Sequence, residues 1–189
     1  SGPKLTVGTD YFALDGKPLP VVGTTYMAGD VDRAYLWEPN PYVWDQDMKQ
    51  MHAAGINMLR SGIWSGWDVL TNPDKTMKEG ALRSVEAFLM TARKYNLPVQ
   101  FNLFAFIPDL TGHGQPYLAQ RAEQGRFVSS IVGRFHDVPF LAWDLINEPS
   151  PNRNLWRTVP VPDERPAWSA WTLQNLPEDR RYKLPTVSE

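Results

Sequence analysis

The stretch with the clearest chemical potential is Phe140-Leu-Ala-Trp-Asp-Leu-Ile-Asn147-Glu148-Pro149. An apolar run stops abruptly at an amide, a carboxylic acid and a proline. Such a run can be buried as a strand on both faces, and Pro149 ends it by removing a backbone donor. Asn147 and Glu148 therefore fall at the strand's C-terminal end, which in a parallel α/β barrel is where catalytic residues collect. Alone, the triplet also reads as a polar exit from strand to loop, because short motifs recur by chance. Its functional reading depends on the preceding chain supplying the rest of a barrel in order. Arg60 is a second polar intrusion, breaking the apolar run 56–64 near its C-terminal part. A buried arginine needs acidic or carbonyl partners, whether it serves as structural glue or as a site residue.

The elements that would position these groups can be followed along the chain. Residues 4–23 read as a β-hairpin: Leu5-Thr-Val7 and Tyr11-Phe-Ala-Leu14 alternate, and Asp15-Gly16 is a strong turn pair. In a barrel this hairpin would plug the bottom of the sheet. Val21 to Met27 is the first barrel-strand candidate, with Tyr26 near its upper end. The long loop 30–44 carries Tyr35, Trp37 and Tyr42, and a loop of this length is either functional or a packed surface segment. Residues 44–54 follow helical spacing, with acids expected in the first turn and Gly55 as the stop. Residues 56–64 form the second strand, 67–79 a loop, 81–95 a helix and 98–106 the third strand. Asn102 is then an inward polar residue, while Phe104 and Phe106 belong to the core. The loop 107–116 contributes His113, which could reach a substrate but, as a lone loop histidine, also reads as a solvated residue. A helix over 117–135 leads into the fourth strand. Helix-then-strand units thus start near Trp44, Ala81 and Tyr117. That alternation implies a parallel sheet with right-handed crossovers.

Composition narrows the field. The chain has 189 residues, a net charge of −2 and 42% hydrophobic residues, enough for one domain with a substantial core. Its basic residues are not clustered, which argues against a nucleic-acid surface. No stretch approaches the roughly 20 apolar residues needed to span a bilayer. With no cysteine, disulfides, thiolate metal sites and cysteine nucleophiles are excluded. The 8 Trp, 7 Tyr and 8 Phe either fill a core or offer ring faces on which sugars stack. The sequence has no dinucleotide fingerprint, P-loop, nucleophile elbow or HExxH motif, and no metal or organic cofactor is implied. It starts Ser1-Gly-Pro, which suits a processed, truncated or tag-cleaved product.

Together, Asn147-Glu148-Pro149 on the fourth strand, Arg60 at the end of the second, and the hairpin carrying Asp15-Gly16-Lys17-Pro18 resemble the retaining (β/α)8 glycoside hydrolases. The clan is clan A, with the cellulases, mannanases and barrel β-galactosidases; the likeness is family-5-like and runs from about Tyr11 to Pro149. It implies a TIM barrel of which this chain supplies the first four βα units plus the N-terminal hairpin. The expected organisation is a hairpin over 1–20, half a barrel over 21–150, and a proline-rich tail with one short helix over 151–189. The resemblance places the general acid/base on Glu148 and contact with the sugar 2-hydroxyl on Asn147. It makes Arg60 the group that keeps the nucleophile ionised. That nucleophile is a Glu at the end of a seventh strand, and no residue here inherits its role.

Retention requires one carboxylic acid to protonate the leaving oxygen and a second carboxylate roughly 5–5.5 Å away. Burial beside apolar groups such as Trp143 would keep the acid protonated near neutral pH. Asp144 does not fit as the partner, because four positions along a strand place it more than about 12 Å from Glu148. It reads as a structural acid on one face of the barrel wall. Tyr26, Trp64, Trp67 and Trp37 are candidate sugar-stacking residues, as are Tyr35 and Tyr42 of the long loop on the same terms as Trp37, with Asn102 and His113 as further substrate contacts. Half a parallel barrel leaves open edges, so a missing C-terminal half or a second chain is expected to complete it. The expected partner is a carbohydrate, and the expected location secreted or periplasmic. A non-catalytic carbohydrate-binding or scaffold derivative of such a barrel is the alternative.

Overall fold

The computed structural model describes residues 2–105 and 121–147, together with Gln174. The chain divides into two units, Ser1–Pro149 and Ser150–Glu189. All elements described here belong to the first. Three short antiparallel strands open it: β1 (Leu5–Val7), β2 (Phe12–Leu14) and β3 (Lys17–Pro18). The turn between β2 and β3 is the Asp15-Gly16 pair, with φ of 50° and 77°. Both values are left-handed, as a two-residue type I′ hairpin requires. Lys17-Pro18 thus makes a third strand, paired with β2 across that turn. The Leu5 amide donates to the Pro139 carbonyl at 2.8 Å, which ties the hairpin to the chain entering the last parallel strand at its N-terminal end.

That parallel sheet has the order β4 (Gly23–Thr25), β5 (Met58–Gly62), β6 (Val99–Phe104) and β7 (Leu141–Ile146). Each strand pairs with the next in sequence, all parallel. Helices α1 (Pro41–Ala53), α3 (Glu79–Lys94) and α4 (Arg121–Phe135) form the crossovers, and α2 (Trp67–Leu70) is a single turn inside the 67–79 segment read as loop. Helix α1 starts three residues before the Trp44 anticipated from the pattern. Asn40 caps it by accepting from the Val43 amide at 3.4 Å, and Pro41 takes the first turn, where its missing N–H costs nothing. The first turn therefore carries no acid; Asp45 and Asp47 lie further in and serve other purposes.

Register decides which residues share a face. Thr25, Arg60, Gln100 and Ala142 align across the sheet, and Gly62, Asn102 and Asp144 align two residues further on. Leu59, Val99 and Leu141 form the alternate row, followed by Ser61, Phe101 and Trp143. The second set faces the helices: the Ser61 hydroxyl lies 2.9 Å from that of Tyr35, whose ring is 5.3 Å from that of Phe88 on α3. Around Phe88 the rings of Tyr26, Tyr35 and Trp44 gather at centroid separations of 5.6, 5.3 and 5.7 Å. Leu59, Val99, Phe101 and Leu103 are buried in the same core. The first set turns away from the helices, to the face that is the interior of a barrel.

Candidate active site

Arg60 is the third residue of β5 and points to the interior face. Two strands away, β7 presents Asp144 on the same face. Arg60 Nε and Nη2 both donate to Asp144 Oδ2, at 2.9 and 2.6 Å, and Nη2 also donates to Asn147 Oδ1 at 2.9 Å. The acidic partner that a buried arginine demands is thus Asp144, the residue the sequence offered only as a structural acid. Both side chains are partly shielded, 28% and 17% exposed. The guanidinium carbon also lies 5.3 Å from the Trp64 ring centroid, a cation–π distance. Asn147, just past β7, is locked through its backbone too, its amide donating to the Phe104 carbonyl at 2.7 Å. An arginine and a carboxylate from within alternate strands therefore converge with an asparagine amide just past the C-terminal end of β7. Glu148 is next in the chain and lies outside the described residues, as does His113.

Asn102, between Arg60 and Asp144 in the register, is fully buried. Neither its Oδ1 nor its Nδ2 finds a hydrogen-bond partner among the described residues. An unpaired buried amide costs about 1–3 kcal/mol, so this inward polar group carries unused hydrogen-bonding capacity.

The aromatic candidates separate into two groups. Tyr26, Trp64 and Trp67 are 4%, 1% and 1% exposed, so none offers an open ring face where it stands. Tyr26 turns to the helix side, and its hydroxyl donates to Asp47 Oδ2 of α1 at 2.9 Å. Burial, and then the Asp47 carboxylate, push the Tyr26 pKa well above the ordinary phenol value. Trp64 donates to the Tyr26 carbonyl at 3.2 Å, while Trp67 Nε1 has no partner among the described residues. Trp37 differs: half-buried, it rests its ring against Gly66, leaving no room there for a side chain, and donates to Glu38 Oε1 at 3.1 Å. Of the aromatics named as stacking candidates, Trp37 keeps an accessible part and Tyr42, on α1, is 74% exposed. Its neighbour Tyr35 is entirely buried, and its hydroxyl donates to the Gly62 carbonyl at 2.9 Å. Desolvation raises the Tyr35 pKa far above its usual value. Of the three candidate rings in the long aromatic loop, Tyr35 is therefore packing, while Trp37 and Tyr42 stand at its open margin.

A family model described as cellulase (glycosyl hydrolase family 5) matches residues 14–175. The chain belongs to glycosyl hydrolase family 5. Solved structures agree on the fold. The β-1,4-D-mannanase of Cryptopygus antarcticus is 15% identical with a TM-score of 0.62, over 78% of this chain and 44% of that one. The β-mannanase of the blue mussel Mytilus edulis is 13% identical with a TM-score of 0.61, over 79% and 46%. The exo-β-1,4-mannosidase of Opitutaceae bacterium strain TAV5 is 17% identical with a TM-score of 0.57, over 71% and 26%. The chain spans less than half the length of each of these proteins. No curated protein matches it.

The likeness makes the parallel sheet of this family-5 chain part of a TIM-barrel-type α/β fold, with β4 to β7 as consecutive strands. The residue that sequence reasoning undervalued is Asp144. Two signals for it were available: it shares parity with Ile146, hence its face, and Arg60 required an acid. Among the described residues no cluster of His, Asp or Glu could hold a metal ion, and no helix is long and apolar enough to cross a membrane.

Proposed function

We propose that the protein carrying this chain is a retaining β-glycoside hydrolase acting on oligo- or polysaccharide. In this reading Glu148 protonates the leaving oxygen, then deprotonates the incoming water. Asn147 holds a sugar hydroxyl beside it. The observation that carries the reading is the Arg60–Asn147 hydrogen bond of 2.9 Å at the C-terminal end of the sheet, with Glu148 as the adjoining residue. In this reading the attacking carboxylate is the strand-seven Glu that the resemblance implies, a role that no residue of this chain inherits. The sheet supports that arrangement: β4 and β7 each pair with one described strand only, which leaves an edge on either side for further barrel strands. Two solved mannanases and an exo-mannosidase among its structural relatives make β-mannosides the first substrates to try. A polysaccharide substrate fits a secreted or periplasmic protein.

The test is hydrolysis of an aryl β-glycoside panel by the full-length protein, with Glu148→Gln beside it. General acid–base assistance contributes about 10²–10⁴-fold, and a loss of that size is expected for poor leaving groups. For dinitrophenyl glycosides, whose leaving group departs without a proton, the first step should suffer far less. Sugar binding without turnover in the full-length wild type would replace the enzyme by a carbohydrate-binding protein.

A further inference from the structure

Asp144 has no role in the reading above, yet its geometry is specific. One carboxylate oxygen receives both Arg60 Nε and Nη2, at 2.9 and 2.6 Å. Holding two nitrogens of one planar group removes the rotations that would swing it away. The held guanidinium then acts on Asn147. Arginine can only donate, so the atom of the Asn147 amide facing Nη2 at 2.9 Å must be the oxygen. The amide is thereby turned so that Nδ2 is its outward group. Nothing among the described residues accepts from Asn147 Nδ2 or Arg60 Nη1.

We propose that Asp144 is a positioning residue. It fixes Arg60, Arg60 fixes the orientation of the Asn147 amide, and Asn147 then presents an N–H donor to a hydroxyl oxygen of the bound sugar. Asp144 does not touch the substrate in this chain of contacts; it sets which hydrogen bond the substrate can make. The inference rests on the glycoside hydrolase reading for its ligand, but the coupling of three side chains does not depend on turnover.

The experiment compares wild-type full-length protein with Asp144→Asn, Asp144→Ala and Asn147→Ala. Asp144→Asn is nearly isosteric and keeps the variant set interpretable if the alanine, which strands the Arg60 charge, fails to fold. Parent and monodeoxy aryl glycosides are assayed for kcat and KM separately. Asn147→Ala identifies the hydroxyl whose removal no longer matters. Asp144→Asn is expected to erase most of the penalty for that same deoxy substrate, lowering kcat on the parent sugar by about tenfold or more with KM nearly unchanged. A general structural loss would depress all substrates alike and leave the deoxy penalty intact, which would overturn the proposal.

Side-chain ¹⁵N spectra give a reading without catalysis. The Arg60 Nη signals should be separate and slowly rotating in the wild type, and coalesce in Asp144→Asn. Unchanged Arg60 signals would overturn the proposal as well. Restricted Arg60 in a wild type that hydrolyses nothing would instead remove the enzyme reading and leave the positioning role of Asp144 standing.

Discussion

The two faces of the parallel sheet come from alternate residues of the same strands, yet they are built for different purposes. Toward the helices stand Leu59, Val99, Phe101 and Leu103, all buried, with Ser61 as the polar exception. That exception is satisfied, since the Ser61 hydroxyl has Tyr35 Oη at 2.9 Å and the Tyr26 carbonyl at 3.1 Å. Toward the interior stand Arg60, Gln100, Asn102 and Asp144, a row in which the Asn102 amide is unpaired and Arg60 is shared between two acceptors. One face completes its interactions within the fold. The other holds groups whose hydrogen-bonding capacity exceeds what the described residues use. Stability and chemistry are thus separated by the alternation of side chains along each strand.

The largest loss is expected on the helix side. Phe88 is fully buried and its ring meets three others, so Phe88→Ala should cost about 3–5 kcal/mol. Denaturant unfolding should show that loss, while the fraction still folded keeps the wild-type deoxy-sugar preferences. Gly62 comes next, because it affects both faces together. Its φ is +154°, and a methyl there would overlap the Asn102 carbonyl oxygen and stand 2.6 Å from the Asn102 amide nitrogen. Gly62→Ala must push β5 from β6 and is expected to cost roughly 2–4 kcal/mol in strain and overpacking. It should also lower activity, since Arg60 and Asp144 lie on strands to either side of that contact.

The smallest effect lies on the far side of the helices, and it sharpens the contrast. Asp45 of α1 accepts from Lys94 Nζ at 2.6 Å and Tyr95 Oη at 2.9 Å. The Lys94 and Tyr95 hydrogen bonds hold its pKa below the usual carboxylate value, and Asp45 holds that of Lys94 above its own. A lowered carboxylate pKa favours the folded state at pH above the ordinary value, and that contribution fades as pH falls through the lowered one. Lys94 has the opposite sign, its contribution being lost only as pH rises through its raised value. The pair is solvent-accessible, so salt should weaken it. Melting curves between pH 2 and 6 should show a slightly smaller acid-side drop for Asp45→Asn than for the wild type, with activity at neutral pH unchanged.

Much of this was legible in the residues. The period of the apolar positions marked each crossover helix, the Asp15-Gly16 pair marked the hairpin turn, and the apolar run ending in Asn147-Glu148-Pro149 marked the last strand. Boundaries moved where a cap or a single turn competed with periodicity, as at Asn40-Pro41 and in α2. Candidate ring platforms were the weakest reading, because an aromatic side chain looks the same in sequence whether it fills a core or faces a ligand. Tyr26, Trp64 and Trp67 are buried, while Trp37 keeps part of its surface.

By itself, then, the sequence determined the alternation of strand and helix, the turn, and the family motif, because these depend on neighbours a few residues apart. It required that Arg60 have an acidic partner without saying which. Only the tertiary structure chose Asp144, 84 positions away, and turned the Asn147 amide toward its role. Register between parallel strands brings such distant residues together, and register is set by packing across the whole sheet.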